Sequence, residues 1–174
     1  MKRAVCIGEC MVEMAQENRT DRFTLGFAGD TYNTAVYLKR HFADAVDVAY
    51  LTALGDDALS HRMINRFREE AIQVDLIRIF PGKRPGLYLI ENDEKGERFF
   101  QYWRSESAAR SMFAGWSPRQ LNETLAGFDL IYISGISLAI LDEDQRRVLF
   151  ETLRALSGKT TIAFDPNFRP IFVK

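Results

Sequence analysis

The chain has 174 residues, of which 47% are apolar and 27% are charged, and its 23 Lys+Arg against 24 Asp+Glu give a net charge of −1. This balance excludes a disordered, highly charged chain, and it argues against a nucleic acid or an anionic membrane surface as the main partner. At about 150 residues per domain, the length predicts roughly one domain.

The first strand-like run is apolar throughout, from Ala4 to Gly8, and three later runs have the same character. Continuous apolar runs of this length are typical of strands buried on both faces of a sheet. The three later runs are residues 48–51, 130–133 and 161–164.

Helical periodicities lie between these strands. Apolar residues recur at helical spacing at Ala35, Leu38 and Phe42, and again at Leu59, Met63 and Phe67. Residues 117–120 read as a capping box with a proline at the first helical position, and residues 142–158 read as a capped helix that ends at a glycine. Strands that alternate with helices predict an α/β fold with a mostly parallel sheet and helices on both faces.

Two parts of the chain depart from this alternation. Residues 86–103 contain two aromatic and β-branched runs around the polar turn 91–96, which predicts a β-hairpin. Residues 12–25 offer another strand or two. We expect these excursions, at about 10–25 and 86–104, to form a small β lid, because lids commonly close over polar substrates and exclude water.

The cysteines and histidines indicate the cellular compartment and whether the chain binds a metal ion. Cys6 and Cys10 follow no apolar leader, which predicts a reduced, cytoplasmic protein. The two histidines, His41 and His61, match no metal-binding spacing, so we expect no metal site. No apolar run approaches the roughly 18 residues of a membrane span, so we expect no membrane partner.

The segment from Gly26 to Ala35 joins a predicted strand to a predicted helix. Glycine permits close backbone approach, Asp30 or Thr31 can cap the helix, and Asp30 and Asn33 suit the binding of sugar hydroxyls. A capped turn without a ligand is the commoner meaning of such a segment. Neither a GxxxxGK[ST] nor a GxGxxG phosphate loop is present.

Two further segments carry polar side chains next to predicted strands. Strand alternation places Tyr102 and Arg104 on one face of the hairpin, where they could converge on a hydroxylated or carboxylated ligand, although taken alone the segment favours an exposed edge strand with a surface arginine. Asp165, Asn167 and Arg169 follow the last strand, at the edge where parallel sheets bind ligands. A proline-stiffened turn is the alternative there.

Six segments resemble, in this order, the amino-terminal half of the ribokinase (phosphofructokinase-B) family of sugar kinases. They are AVCIGECMVEM, GFAGDTYNTAVYL, LTALGDDALS, RPGLYLIENDEKGERFFQYWRSESAAR, FDLIYISGISLAIL and FDPNFRP. The YWR and DPNFRP segments favour the subgroup that acts on 2-dehydro-3-deoxygluconate. The resemblance implies a ribokinase-like α/β domain with a β lid, of which residues 1–174 are the amino-terminal part, so the chain looks truncated.

The resemblance also implies an activity. In it, the γ-phosphoryl group of ATP passes, with Mg²⁺, to the 6-hydroxyl of 2-dehydro-3-deoxygluconate, a small sugar acid. It implies a homodimer through the lid strands, and Arg169 near the transferring phosphoryl group, where a fixed positive charge helps most. The substrate-binding residues implied are Gly29, Asp30, Asn33, Tyr88, Tyr102, Arg104 and Arg169.

The sequence departs from the family pattern at two positions. Ala28 replaces a glycine before Gly29, and Ser60 replaces the last glycine of the G-x-D-x-x-G segment that Gly55 begins. The family's general-base aspartate lies in a G-A-G-D motif of the carboxyl-terminal half, so we expect it beyond Lys174 and do not assign that role to Asp30. A fructokinase, a ribokinase, or a non-catalytic sugar-binding or dimerising fragment remain as alternatives.

Overall fold

Two β-sheets organise the part of the chain that the computed structural model describes, which is residues 1–18 and 20–168. The strands of the main sheet are β1 (Lys2–Ile7), β4 (Val46–Leu54), β5 (Ile77–Ile79), β8 (Leu130–Ser134) and β9 (Thr161–Asp165). They are parallel, in the order β5-β4-β1-β8-β9. A parallel sheet of this kind brings the carboxyl ends of its strands to one edge, and that edge is where α/β proteins bind ligands.

The second sheet, which we call the lid sheet, consists of β2 (Met11–Gln16), β3 (Phe23–Ala28), β6 (Leu87–Asn92) and β7 (Arg98–Trp103). Its order is β3-β2-β6-β7, with β2 and β6 parallel and the other pairs antiparallel. The β6–β7 connection is the predicted hairpin, and Gly96 occupies its turn at φ 82°, a left-handed conformation that favours glycine.

In the described part of the chain, five α-helices connect the strands. They are α1 (Asp30–Phe42), α2 (Ala58–Glu69), α3 (Pro118–Leu125), α4 (Gly135–Ile140) and α5 (Glu143–Leu156). The predicted capping box is present, because the Ser117 hydroxyl accepts from the Gln120 amide while the Gln120 side chain accepts from the Ser117 amide. Asp142 caps α5 in the predicted way, by accepting from the Gln145 amide at 2.8 Å.

The main sheet separates two apolar cores. On one face, Tyr50 of β4 packs against Tyr32 of α1 and Phe67 of α2, with ring centroids 6.1 and 5.2 Å away. On the other face, Leu121, Leu125 and residues of α5 pack against Ile131 and its neighbours. Helices on both faces of a mostly parallel sheet, with a separate small sheet, confirm the predicted α/β class.

The prediction that Phe42 of α1 faces the core is wrong. Phe42 is 46% exposed, whereas Tyr32 and Val36 are buried. Phe42 lines a surface groove with Lys2 and Val46, at the beginnings of β1 and β4, so the helix runs past the sheet before it ends. The sequence pattern also left out β5 and α4, because elements of three and six residues are too short to show a periodicity.

Both cysteines are buried and reduced. Burial raises the pKa of the Cys6 thiol to about 12, and burial together with the charge of Glu9 also raises the pKa of Cys10. Because the thiolate is the reactive form, these cysteines are inert members of the core. Among the described residues, no helix combines the length and the apolar character that crossing a bilayer requires.

Phe67 provides a test of the core between α1, α2 and the sheet. We expect Phe67→Ala to lower the free energy of unfolding by about 3–5 kcal/mol, because the ring is fully buried and the cavity left behind cannot be refilled. Phe150→Ala is the matched control, since Phe150 is 47% exposed on α5, and we expect it to cost less than about 1 kcal/mol. Urea denaturation followed by circular dichroism measures both, and equal losses would contradict the assignment.

Candidate functional site

The carboxyl edge of the main sheet carries the first group of candidate residues. Asp30 opens α1 at this edge, and its Oδ2 accepts a hydrogen bond of 2.8 Å from the Asn167 side chain. Asn167 lies just beyond β9, where its own amide donates to Asp165 Oδ1 at 2.9 Å. Segments that are 137 positions apart in the sequence therefore meet at one polar cluster, as the strand-end argument predicts.

The entrance of α1 differs in detail from the predicted cap. Gly29, not Asp30 or Thr31, is the N-cap residue, and no side chain caps the helix. Asp30 is the first helical residue, and its Oδ1 accepts from the Thr31 amide at 2.7 Å. The other carboxylate oxygen faces the loop after β9, so an acidic group stands at the end of the sheet where a hydroxylated ligand would donate hydrogen bonds.

Gly29 is required by close packing. A Cβ atom at this position would collide with the carbonyl oxygen of Glu9, which belongs to rigid backbone. Ala28, which replaces a glycine of the family pattern, is accommodated because it is the last residue of β3 and pairs with Met11 in the lid sheet. The glycine that matters for the helix entrance is therefore present.

Asn33 lies in a different place from the other candidates. Its amide donates to the Gly29 carbonyl, while the residue lines a cleft of about 360 Å³ between α1, α2 and β3. Arg62, Arg66 and Glu70 line the same cleft, but Asp30 and Tyr88 do not. The structure therefore does not place Asn33 in the polar cluster at the sheet edge.

Three aromatic rings on one face of the lid sheet form the second group. Tyr88 lies opposite Tyr102 in the β6–β7 ladder, with ring centroids 5.8 Å apart, and Phe100 stacks on Tyr102 at 6.3 Å and 15°. Tyr88 is 8% exposed whereas Tyr102 is 45% exposed. The cluster therefore offers a partly buried apolar surface with one accessible phenol, an arrangement suited to the carbon face and hydroxyls of a sugar.

Glu13 was not singled out by the sequence pattern. It pairs with Tyr88 across the parallel β2–β6 ladder, and the Tyr88 hydroxyl donates a short hydrogen bond to its carboxylate. Burial, followed by this bond and the charge of Glu13, raises the pKa of Tyr88, so the phenol remains a donor. A lone carboxylate among the apolar residues of β2 was the signal that could have identified it.

Arg104 follows β7 and turns toward the main sheet. Its guanidinium forms an ion pair with Glu9, and the side chains of Arg104 and Glu9 are 9% and 1% exposed. The placement of Tyr102 and Arg104 on one face of the hairpin stays a prediction, because β7 ends at Trp103 and Arg104 lies just beyond it. The alternative of a surface arginine is wrong, since Arg104 is buried. Glu9, the partner of Arg104, was also missed by the sequence pattern. Its Oε1 atom has no hydrogen-bond partner within residues 1–18 and 20–168.

The described part of the chain contains no metal site built from protein side chains alone. Within residues 1–18 and 20–168, no three His, Cys, Asp or Glu side chains come close enough to hold a metal ion by themselves, whereas Mg²⁺ bound together with phosphates needs only one or two carboxylates. Arg169, the remaining predicted site residue, lies outside the described residues.

Known proteins show the same organisation. The family model described as pfkB family carbohydrate kinase matches residues 1–174. The 2-dehydro-3-deoxygluconokinase of Dickeya dadantii is 46% identical over 97% of this chain and 54% of its own length. The Escherichia coli K12 protein of the same name is 42% identical over 97% of this chain and 55% of its own length.

Solved structures agree on the fold. The crystal structure of 2-dehydro-3-deoxygluconokinase from Thermotoga maritima superposes with a TM-score of 0.83 at 22% identity, covering 99% of this chain and 53% of that one. The chain spans about half the length of the curated relatives it matches. Because the family model covers the whole chain and the relatives exceed 40% identity, the chain belongs to the pfkB family of carbohydrate kinases.

Proposed function

We propose that the protein to which this chain belongs transfers the γ-phosphoryl group of ATP to the 6-hydroxyl of 2-dehydro-3-deoxygluconate, and that this chain supplies the sugar side of the site. The observation that carries the proposal is the meeting of Asp30 and Asn167 at the carboxyl edge of the sheet, in a chain that also folds a lid with Tyr88 and Tyr102. The names of the relatives at 41–46% identity support the choice of substrate.

The described residues suggest how the sugar acid is held. Gly29 and Asp30 contact its hydroxyls from the helix entrance, and Tyr88 and Tyr102 cover its carbon face from the lid sheet. Arg104 supplies the positive charge that complements the carboxylate. A guanidinium carries five N–H donors in a planar fork that matches a carboxylate, and Glu9 already engages this fork in the described structure.

Positioning is the main contribution that these residues make to the reaction. Phosphoryl transfer depends on alignment of the acceptor oxygen and on neutralisation of the phosphate oxygens. A lid that closes over the sugar excludes water and so limits wasteful hydrolysis of ATP. When bound, ATP with Mg²⁺ supplies the phosphoryl group and offsets its negative charge, and we propose that the general-base aspartate lies beyond Lys174.

A panel of acceptors tests the proposed substrate. In an ATP-consumption assay of the protein, we expect kcat/KM for 2-dehydro-3-deoxygluconate to exceed the values for fructose and ribose by at least about a hundredfold, which is roughly 2.7 kcal/mol of transition-state discrimination. Arg104→Lys keeps the charge but loses the planar fork, and we expect it to lower the value for the sugar acid by about tenfold.

Arg119→Lys is the matched control, because Arg119 forms an exposed ion pair with Glu123 on α3. We expect this variant to keep the kinetics of the parent protein. Equal rates with all three sugars, or equal kinetics of the Arg104→Lys and Arg119→Lys variants, would contradict the assigned substrate or the assigned role of Arg104. Absence of phosphoryl transfer to any sugar would favour the non-catalytic alternative.

We also propose that two copies associate through their lid sheets. All six residues of β7 are exposed, and this strand is an edge of the lid sheet. Phe99 and Trp103 are 55% and 56% exposed and lie on the same face of the strand. An exposed edge strand that carries large aromatic side chains is a typical self-association surface.

Introduction of a negative charge on this surface tests the proposed dimer. We expect Phe99→Glu to shift the protein from dimer to monomer in sedimentation velocity at micromolar concentration, because a carboxylate would be desolvated at the interface. Phe150→Glu is the control, since Phe150 is similarly exposed, at 47%, on α5 outside the lid sheet. A parent protein that sediments as a monomer, or two variants with equal behaviour, would contradict the proposal.

A further inference from the structure

The chain passes between the main sheet and the lid sheet at four places. It enters the lid sheet after β1, through Glu9, and returns to α1 through Gly29. It enters again before β6 at Gly86 and leaves after β7 at Arg104. Any movement of the lid sheet relative to the main sheet must be taken up at these four crossings, since they are its covalent attachments.

All four crossings meet at Glu9. The carbonyl oxygen of Glu9 packs directly against Gly29, at a distance that leaves no space for a side chain there. The Oε1 atom of Glu9 would lie 2.7 Å from a Cβ atom at Gly86, and the Cβ atom of Arg104 would lie 3.1 Å from the same point. The carboxylate of Glu9 also forms the ion pair with Arg104. One residue therefore touches the other three attachments of the lid sheet.

The pair at this point is unusual in its burial. Glu9 and Arg104 are 3% and 9% exposed, and they are the only charged residues classed as buried within residues 1–18 and 20–168. A buried ion pair is a poor source of stability, because desolvation of both charges offsets most of their attraction and an apolar pair would pack as well. Its directional geometry, in contrast, fixes the relative orientation of the segments that it joins.

We infer that Glu9 is a positioning residue that holds the lid sheet on the main sheet through the guanidinium of Arg104. The carboxylate sets both where the lid sheet sits and which way the guanidinium faces. Its consequence for catalysis rests on the proposed function, because only there does Arg104 meet a substrate carboxylate. The role of Glu9 in holding the lid sheet does not rest on the proposed function, since the four crossings and their contacts do not depend on which ligand binds.

Hydrogen exchange of the protein without substrate tests whether Glu9 holds the lid sheet on the main sheet. In Glu9→Gln the charge is lost while the shape is kept, and we expect amides of residues 87–92 and 98–103 to exchange at least about tenfold faster, with β1 and β4 unchanged. Glu123→Gln is the control for loss of one paired carboxylate, because Glu123 pairs with Arg119 on α3, outside the lid sheet. Unchanged exchange in the lid sheet, or an equal acceleration throughout the chain, would overturn the inference.

Gly86→Ala provides a second variant that leaves both charges in place. Its methyl group would sit 2.7 Å from Glu9 Oε1, so the carboxylate must move away from its present position. We expect the same local acceleration of exchange in the lid sheet, which keeps the inference testable if Glu9→Gln fails to fold. A Gly86→Ala protein that exchanges like the parent would count against Glu9 as the fixed point.

Kinetics separate this inference from the proposed function. In Glu9→Gln we expect KM for the sugar acid to rise by about tenfold while KM for ATP stays within about twofold of the parent, because the misplaced group lies on the sugar side. Equal changes in both constants, or no change in either, would overturn the positioning role. A parent protein that phosphorylates no sugar acid would overturn the proposed function instead, and the exchange measurement would still decide the role of Glu9.

Discussion

The ion pair between Glu9 and Arg104 is the contact on which the arrangement of the site depends. It joins the end of the central strand of the main sheet to the end of the last lid strand, in a place that water does not reach. Removal of one partner would leave the other charge buried alone, at a cost of about 3–5 kcal/mol. The pair thereby fixes the orientation of the two sheets relative to each other.

That orientation decides which groups can face a ligand together. The main sheet contributes an acidic and amide cluster, Asp30 with Asn167, at the carboxyl ends of its strands. The lid sheet contributes rings, of which Tyr88 is held by Glu13 and Tyr102 remains accessible. The polar cluster on one side, and the rings with a nearby guanidinium on the other, are the groups that we propose to hold a small sugar acid.

Local patterns in the sequence predicted much of this fold. Apolar runs located four strands of the main sheet, and capping chemistry located Ser117 and Asp142 at the starts of their helices. The hairpin followed from residue type and a turn glycine. These features could be predicted because each depends on neighbours within a few residues, where propensity and periodicity act directly.

The contacts that organise the site could not be predicted in the same way. Glu9 and Arg104 are 95 positions apart, and Asp30 and Asn167 are 137 apart, so no local period links them. Alternation along β7 carries no information on the burial of Arg104, which lies one residue past the end of the strand and pairs with Glu9. Asn33 was grouped with Asp30 because both belong to one short segment, yet Asn33 lines the cleft beside Arg62.

The most direct measurement is a crystal structure of the protein with 2-dehydro-3-deoxygluconate. We expect the sugar acid to lie between the two sheets, with its hydroxyls within hydrogen-bond distance of Asp30. Its carbon skeleton should pack against Tyr88 and Tyr102, and its carboxylate should contact Arg104. A sugar acid bound in the cleft lined by Asn33, Arg62 and Arg66, or one that makes no contact with the lid sheet, would contradict this expectation.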